Sequence, residues 1–252
     1  MLTRKMKVLL LAPVLATAFA ALSANAEVRE EFHKTVALEA NGNFSLKNIN
    51  GGITVNVWDR NEVRIDAVKT ASSKEKLRDA RIEVAGSGHS VNVETKYPDR
   101  TNNDPAKVEY TIHLPVAARL YSVETVNGGI VVNGVCGRIK ASTVNGKVEV
   151  WNATDEVDLA SVNGDVKASL KNAGRKPAKL NTVNGTVALA IPTSSNARVK
   201  AATVNGDIHS ELPMTIERSQ FAPGATVDTA LGSGGETIEL DTVNGSIYLH
   251  RS

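Results

Sequence analysis

The residue types that most often carry out chemistry are scattered in this sequence. Its five histidines show no metal-ligand spacing and have no cysteine partner, so each is expected to be a surface or edge residue. They are His33, His89, His113, His209 and His250. The sequence therefore predicts no metal site and no cofactor.

Two other motifs have only a superficial similarity to functional sites. Ser87 lies in the run Gly-Ser-Gly-His-Ser at 86–90, which lacks the strand-turn-helix context of a nucleophilic serine, so a turn is expected. Asp165 and Asp207 follow Asn-Gly pairs, but Thr186 takes the equivalent position between them. A calcium-binding roll needs such acids in every repeat, so calcium is not expected.

A polysaccharide-cleaving β-helix would need paired carboxylates, or a Lys or Arg beside acids, on one outward strip. The predicted outward strip mixes both signs and consists of Lys140, Asp158, Lys179, Lys200 and Glu239. Such a mixture is typical of a solvated surface, so no catalytic residue is predicted. A carbohydrate-active protein, binding or cleaving a polysaccharide, is the alternative. Exposed carboxylate pairs about 5–10 Å apart in a groove would favour it.

Sugar binding without catalysis commonly uses exposed aromatic side chains, which combine an apolar face with a polar tip. The candidates, Trp58, Tyr97, Trp151 and Tyr248, are few and scattered along the chain. Trp58 and Trp151 each follow a Val-x-Val strand, so packing at a strand edge is expected for both.

The chain is organised around the tetrapeptide Thr-Val-Asn-Gly, which occurs five times. A Ser-Val-Asn-Gly copy stands at 161–164 and a looser Asn-Ile-Asn-Gly copy at 48–51. From residue 121 the motif asparagines are 18, 18, 21, 21 and 39 residues apart. Apolar residues recur six and four before each Asn and three and five after it, which predicts strand, corner, strand with one buried face. The predicted corner residues are Asn50, Gly51, Asn127, Gly128, Asn145, Gly146, Asn163, Gly164, Asn184, Gly185, Asn205, Gly206, Asn244 and Gly245.

Backbone conformation would explain the residue types at the Asn-Gly corner, since Asn tolerates the left-handed region and Gly enters it at no steric cost. Two architectures contain such corners, an antiparallel meander of hairpins and a β-solenoid of parallel stacked coils. The solenoid is favoured, because only it brings equivalent Thr and Asn side chains about 4.8 Å apart, where they can form ladders.

The predicted fold is therefore all-β, a solenoid of 18–21-residue coils with an N-terminal β-strand cap region. The cap covers 27–120 and forms one continuous domain with the repeats at 121–252. Within it, 72–80 is the only plausible helix, with a loop nearly as well supported, and 96–107 is predicted to be an exposed loop. The 39-residue gap equals one short and one long coil, so 212–230 is either a degenerate coil with its corner at Pro223-Gly224 or an excursion loop.

The connections opposite the motif vary in length. Those at 133–138 and 151–156 have six residues, whereas those at 169–177 and 190–198 have nine. Variable loops along one edge are where a repeat protein can carry a binding surface.

Residues 1–26 have the features of a cleavable signal peptide. Arg4, Lys5 and Lys7 precede an apolar run that ends at Leu22, and an Ala-Asn-Ala cleavage signal follows. Removal takes away three of the 29 Lys and Arg residues and none of the 27 Asp and Glu, leaving a net charge of −1. That charge provides no electrostatic basis for nucleic-acid binding. We expect a periplasmic or secreted protein with no membrane insertion after cleavage.

One cysteine, Cys136, precludes an intramolecular disulfide in an exported protein. We expect it to be a small buried residue near a corner, with an intermolecular disulfide as the alternative. Stability must then come from packing.

The chain combines a signal peptide with tandem Thr-Val-Asn-Gly coils and closes with a Gly-rich run and a final repeat at 232–247. Between them, at 48–60, it carries the stretch Asn-Ile-Asn-Gly-Gly-Ile-Thr-Val-Asn-Val-Trp-Asp-Arg. This combination resembles the bacterial putative-adhesin family of domain-of-unknown-function proteins, over most of the mature chain. The resemblance implies an exported β-solenoid and supplies no catalytic residue. It is a fold-level analogy with respect to activity. We expect a non-enzymatic binding or scaffold protein of the cell envelope, whose partner is a protein or glycan that the sequence does not name.

Overall fold

The structure is a computed structural model that describes residues 27–98, 105–218 and 223–252. The predicted signal peptide and part of the predicted loop at 96–107 lie outside these ranges. Within them the chain forms nineteen strands and one short helix, which confirms the all-β prediction. The strands are β1 Val28–Lys47, β2 Ile53–Trp58, β3 Glu62–Ala71, β4 Arg81–Lys96, β5 Lys107–Pro115, β6 Arg119–Asn127, β7 Ile130–Asn133, β8 Ile139–Asn145, β9 Val148–Ala153, β10 Val157–Asn163, β11 Val166–Leu170, β12 Ala178–Asn184, β13 Val187–Ile191, β14 Ala197–Asn205, β15 Ile208–Ser210, β16 Glu217–Arg218, β17 Ala225–Leu231, β18 Thr237–Asn244 and β19 Ile247–Arg251, and the helix is α1 Lys74–Asp79.

The strands form two faces that meet at the Asn-Gly corners. Face A has the order β1-β3-β5-β2-β7-β9-β11-β13-β19-β15. Face B has the order β4-β1-β6-β8-β10-β12-β18-β14-β17-β16. The long strand β1 contributes its first half to face A and its second half to face B, so the two faces form one continuous sheet.

In the repeats each strand pairs in parallel with the equivalent strand of the neighbouring repeat, and motif Asn lies opposite motif Asn. The alternative of an antiparallel meander is therefore wrong for this part of the chain. Alternation along each strand sends one set of side chains between the faces. Val148, Val166 and Val187 follow one another in that interior and are fully buried.

The last repeat in the sequence is not the last in space. Strands β18 and β19 lie between the β12–β13 repeat and the β14–β15 repeat, with parallel pairing on both sides. The preceding segment is neither a degenerate coil nor a plain excursion loop, because β17 pairs antiparallel with the outer edge of β14 and β16 pairs antiparallel with β17. The chain thus reverses past the end of the stack and returns to fill a place inside it.

The N-terminal region differs from the repeats in using antiparallel pairs. Strand β3 pairs antiparallel with both β1 and β5 at the end of face A. The predicted helix is present, begins after the N-cap Ser73 and buries Leu77. Lys69 stabilises the C-terminal end of this helix, because the Lys69 ammonium donates to the carbonyls of Leu77 and Ala80 at 3.2 and 3.3 Å. In the described ranges no helix has the length and apolar character needed to cross a bilayer.

Candidate functional site

The motif asparagines form a side-chain ladder along the corner. In each step the amide nitrogen of one Asn donates to the amide oxygen of the Asn in the neighbouring repeat, at 2.8 or 2.9 Å. In spatial order the ladder runs Asn127, Asn145, Asn163, Asn184, Asn244, Asn205. Asn50 stands one step beyond, bridged to Asn127, and its own amide donates to the Pro105 carbonyl. The ladder needs an amide at every step, because only Asn carries both a donor and an acceptor at this side-chain length.

The first residue of the motif connects the repeats a second time. Its buried hydroxyl donates to the carbonyl of the motif Gly in the repeat next to it in space, at 2.8–3.0 Å. The donors are Thr125, Thr143, Ser161, Thr182, Thr242 and Thr203. Ser161 serves as well as Thr, so the hydroxyl is the required group. Each bond satisfies a carbonyl at the turn between the two faces.

The motif glycines are required by close packing rather than by a left-handed backbone. Gly51 and Gly245 have positive φ values of 123° and 157°, but Gly128, Gly146, Gly164, Gly185 and Gly206 do not have a positive φ, and no corner Asn does. At Gly164 an added Cβ would lie 2.0 Å from the carbonyl oxygen of Gly146, and equivalent contacts recur along the stack. The prediction that these glycines are needed for a left-handed backbone is therefore wrong for most corners.

The second residue of the motif points outward and builds an exposed apolar row. Ten large hydrophobic residues are exposed in the described ranges, and seven of them hold this position, with exposures of 38–56%. They are Ile49, Val126, Val144, Val162, Val183, Val243 and Val204. Consecutive strands are about 4.8 Å apart, so the row is about 29 Å long. Contacts between repeats explain the Thr, Asn and Gly of the motif, but they do not explain a large apolar residue facing solvent.

A groove of about 490 Å³ runs beside this row on face B, which we call the corner groove. It crosses β4, the end of β1, β6, β8 and β10. The apolar wall is Ile49, Val126, Val144 and Val162. The motif residues Thr125, Thr143 and Ser161 also line the groove, but their hydroxyls are buried and bonded to glycine carbonyls. Its volume lies in the range of sites that bind small molecules or polymer segments. The small residues Ser142 and Ala160 keep it open.

One end of the corner groove is charged. Glu94, Lys47 and Glu124 lie opposite one another on the adjacent strands β4, β1 and β6, and all three line the groove. The two carboxylate-bearing positions are two strand spacings apart, roughly 9.6 Å at the backbone. Two carboxylate-bearing residues thus line one groove, an arrangement that the sequence did not identify. Nearby, the Thr95 hydroxyl lies 2.6 Å from the Tyr110 hydroxyl. Burial raises the pKa of Tyr110 to about 12.

The five histidines do not converge on a metal site. Within the described parts of the chain, no three His, Cys, Asp or Glu side chains are placed to hold a metal ion. His33 Nδ1 lies 2.6 Å from Asp66, and this hydrogen bond raises the pKa of the imidazole. His113 contacts the Trp58 ring instead, with centroids 5.6 Å apart.

Two of the histidines flank a tyrosine on the outward side of face A. His209 and His250 lie 4.9 and 6.2 Å from the Tyr248 ring, with nearly parallel planes. Hydrogen bonds from the Arg251 backbone and from His250 lower the pKa of Glu211 beside them. Sequence reasoning missed this cluster, because 39 residues separate His209 from Tyr248 and only the return of β19 brings them together.

The other sequence candidates have local roles. Ser87 lies within β4 and not in a turn, so that expectation is wrong. Asp165 accepts a hydrogen bond from the Thr186 backbone in the next repeat. Cys136 is exposed and free, which corrects the expectation that it is buried. Trp151 is 39% exposed on β9 of face A, and it does not line the corner groove.

The long-loop edge opposite the motif carries a separate polar pocket of about 260 Å³. It lies among the loops that follow β11, β13 and β17. Two of these loops are the nine-residue connections at 169–177 and 190–198.

Comparison with known proteins places the chain in a family of unknown function. Three solved structures each align with 88% of this chain. A putative cell adhesion protein from Clostridium sporogenes is 13% identical, with a TM-score of 0.45 and 100% of its chain covered. A putative adhesin from Bacteroides fragilis is 12% identical (TM-score 0.43, 97% covered), and a putative lipid binding protein from Parabacteroides distasonis is 11% identical (0.33, 96%). No curated protein matches the chain. The model of the Toastrack DUF4097 family matches residues 29–250, and the chain belongs to that family.

Proposed function

We propose that this chain is an exported, non-enzymatic binding or scaffold protein of the cell envelope. Its architecture in this proposal is a β-solenoid of 18–21-residue coils at 121–252, closed at one end by a cap at 27–120 and preceded by a cleavable signal peptide at 1–26. The mature protein is periplasmic or secreted. Its partner is a protein or glycan of the envelope, and it needs no cofactor.

The observation that carries the proposal is the corner groove with its exposed apolar row. An exposed apolar row is unfavourable in water unless a partner covers it. A row of seven positions over about 29 Å matches an extended chain laid along the corner. The exposed Asn ladder beside the row carries polar groups at the same spacing. A repeating partner, either a polypeptide strand or a glycan, would meet the same contact at each step.

A capture experiment with matched variants tests this proposal. The mature protein, the groove variant Val144→Lys/Val162→Lys and the face A variant Val131→Lys/Ala188→Lys are used to capture material from envelope extract. We expect the wild type and the face A variant to retain the same partner and the groove variant to lose it. Equal retention by all three would exclude the corner groove as the binding site.

A carbohydrate-active protein is the second candidate, favoured by the row Glu94, Lys47, Glu124. Two carboxylates in one groove could act as general acid and base, and a lysine beside acids could act in a lyase. The test is turnover of envelope and plant polysaccharides by wild type and by Glu124→Gln and Glu94→Gln. Cleavage that both substitutions abolish would support the enzyme. Binding without cleavage would support the scaffold.

A further inference from the structure

We propose that the pocket at the long-loop edge binds a single anionic group, a carboxylate or a phosphate, of an envelope ligand. It lies on the edge opposite the motif and does not depend on the corner groove. The residues that carry the argument are Lys171, Asn172, Arg175, Ser194, Asn196 and Gly234, which all line the cavity.

The charged side chains that line the pocket are all basic. Lys171 and Arg175 line it, and no acidic side chain does. Neither cation has an acidic partner within 4.0 Å among the described residues, whereas nearby Lys176 pairs with Asp155 at 3.9 Å and Arg198 pairs with Asp228 at 2.8 Å. The two pocket cations are therefore available for an external anion, and the neighbouring ones are already neutralised.

The pocket walls are fixed by hydrogen bonds before any ligand arrives. The Ser195 hydroxyl donates to the Pro192 carbonyl at 2.6 Å, and the Ser233 amide donates to the Asn196 side chain at 2.9 Å. The Glu236 amide donates to the Gly174 carbonyl at 2.9 Å. Gly174 has a φ of 83°, and a Cβ there would lie 1.7 Å from the Asn196 carbonyl oxygen, so the loops are in direct contact. A rigid wall reduces the ordering cost of binding.

The residue types suit an oxyanion. A guanidinium presents its N–H groups as a fork that matches carboxylate or phosphate oxygens, and an ammonium adds a point charge. The Ser194 hydroxyl and the Asn172 amide can donate to the remaining oxygens. The volume of about 260 Å³ fits one anionic group with part of its carrier, not a polymer segment. A neutral sugar would leave both charges without a partner.

Amide NMR of the mature protein tests the proposal with three probes at constant ionic strength: inorganic phosphate, glucuronate and neutral glucose. We expect saturable shifts of the Gly174, Ser195 and Gly234 amides with at least one of the two anions and none with glucose. A response to phosphate alone, glucuronate alone or both identifies the preferred oxyanion. No saturable response to either anion, or an equal response to glucose, would overturn the proposal.

Two variants separate the pocket from general charge effects. Lys171→Gln/Arg175→Gln should weaken anion binding at least tenfold, and Lys34→Gln/Arg119→Gln, with the same change in net charge elsewhere, should leave it unchanged. Equal weakening by both would show a non-specific effect. All four side chains are exposed, so the variants should fold, and thermal melts check this. The groove variant Val144→Lys/Val162→Lys should keep the anion response, which makes the two proposals separable.

Discussion

At the scale of single residues, three members of the motif are explained by contacts between repeats. The hydroxyl reaches the carbonyl of the neighbouring Gly, the amide joins the ladder, and the Gly leaves room for that carbonyl. The valine makes none of these contacts and faces solvent. The motif therefore combines two tasks, stacking the repeats and presenting an apolar row.

The close approach at the corner predicts a large effect from one methyl group. Gly164→Ala places Cβ 2.0 Å from the Gly146 carbonyl oxygen, so the backbone of two repeats must separate. We expect a loss of about 2–4 kcal/mol in the free energy of unfolding, in the range of overpacked or strained sites. Gly52→Ala is the matched control, since its nearest contact is 3.4 Å and its φ is not positive. Urea melts of both variants measure the difference, and an equal loss in the two would contradict the account.

At the scale of elements, alternation along each strand decides which side chains fill the interior. Val166 is fully buried between Val148 and Val187, while its neighbour Lys167 faces outward and lies 3.5 Å from Asp165. The spacing from the motif Asn predicted the inward position of Val166 correctly.

This arrangement predicts opposite outcomes for two adjacent substitutions. Val166→Asp buries a carboxylate among apolar neighbours and should cost several kcal/mol, a large part of a stability of about 5–15 kcal/mol. Lys167→Asp removes an exposed ion pair and places a carboxylate near Asp165 and opposite Glu149, so it should cost about 1 kcal/mol or less. Denaturant melts compare the two. Similar losses would mean that the inward face is wrongly assigned.

The features that sequence alone could not predict all depend on which strands meet in space. The spacing of motifs gives their order along the chain and not their order in space. The 39-residue gap equals one short and one long coil, so nothing in the spacing indicated that β18 and β19 return into the stack. The row Glu94, Lys47, Glu124 joins the N-terminal region to the first repeat. The rings of His209 and Tyr248 meet only because β19 returns. The corner glycines were predicted at the right positions for a reason that applies to few of them.

At the scale of the whole molecule, the order of repeats in space can be tested by cross-linking. In a background with Cys136→Ser, the pair Val183→Cys/Val243→Cys should form a disulfide, because β12 and β18 are neighbours. Their backbones are about 4.8 Å apart, within disulfide range. Val183→Cys/Val204→Cys should not, because β18 lies between those strands. A coil order that followed the sequence would give the reverse pattern, which thiol titration and mass spectrometry would reveal.

The central claim is that the exposed valines serve a partner and not the fold, and one stability measurement tests it. Val144→Thr/Val162→Thr keeps the β-branched shape and strand propensity while making the row polar. Both valines are about 40% exposed, so the account predicts a change of about 0.5 kcal/mol or less per site in the free energy of unfolding. A loss of more than about 2 kcal/mol for the pair would contradict the account, since the row would then be part of what stabilises the stack.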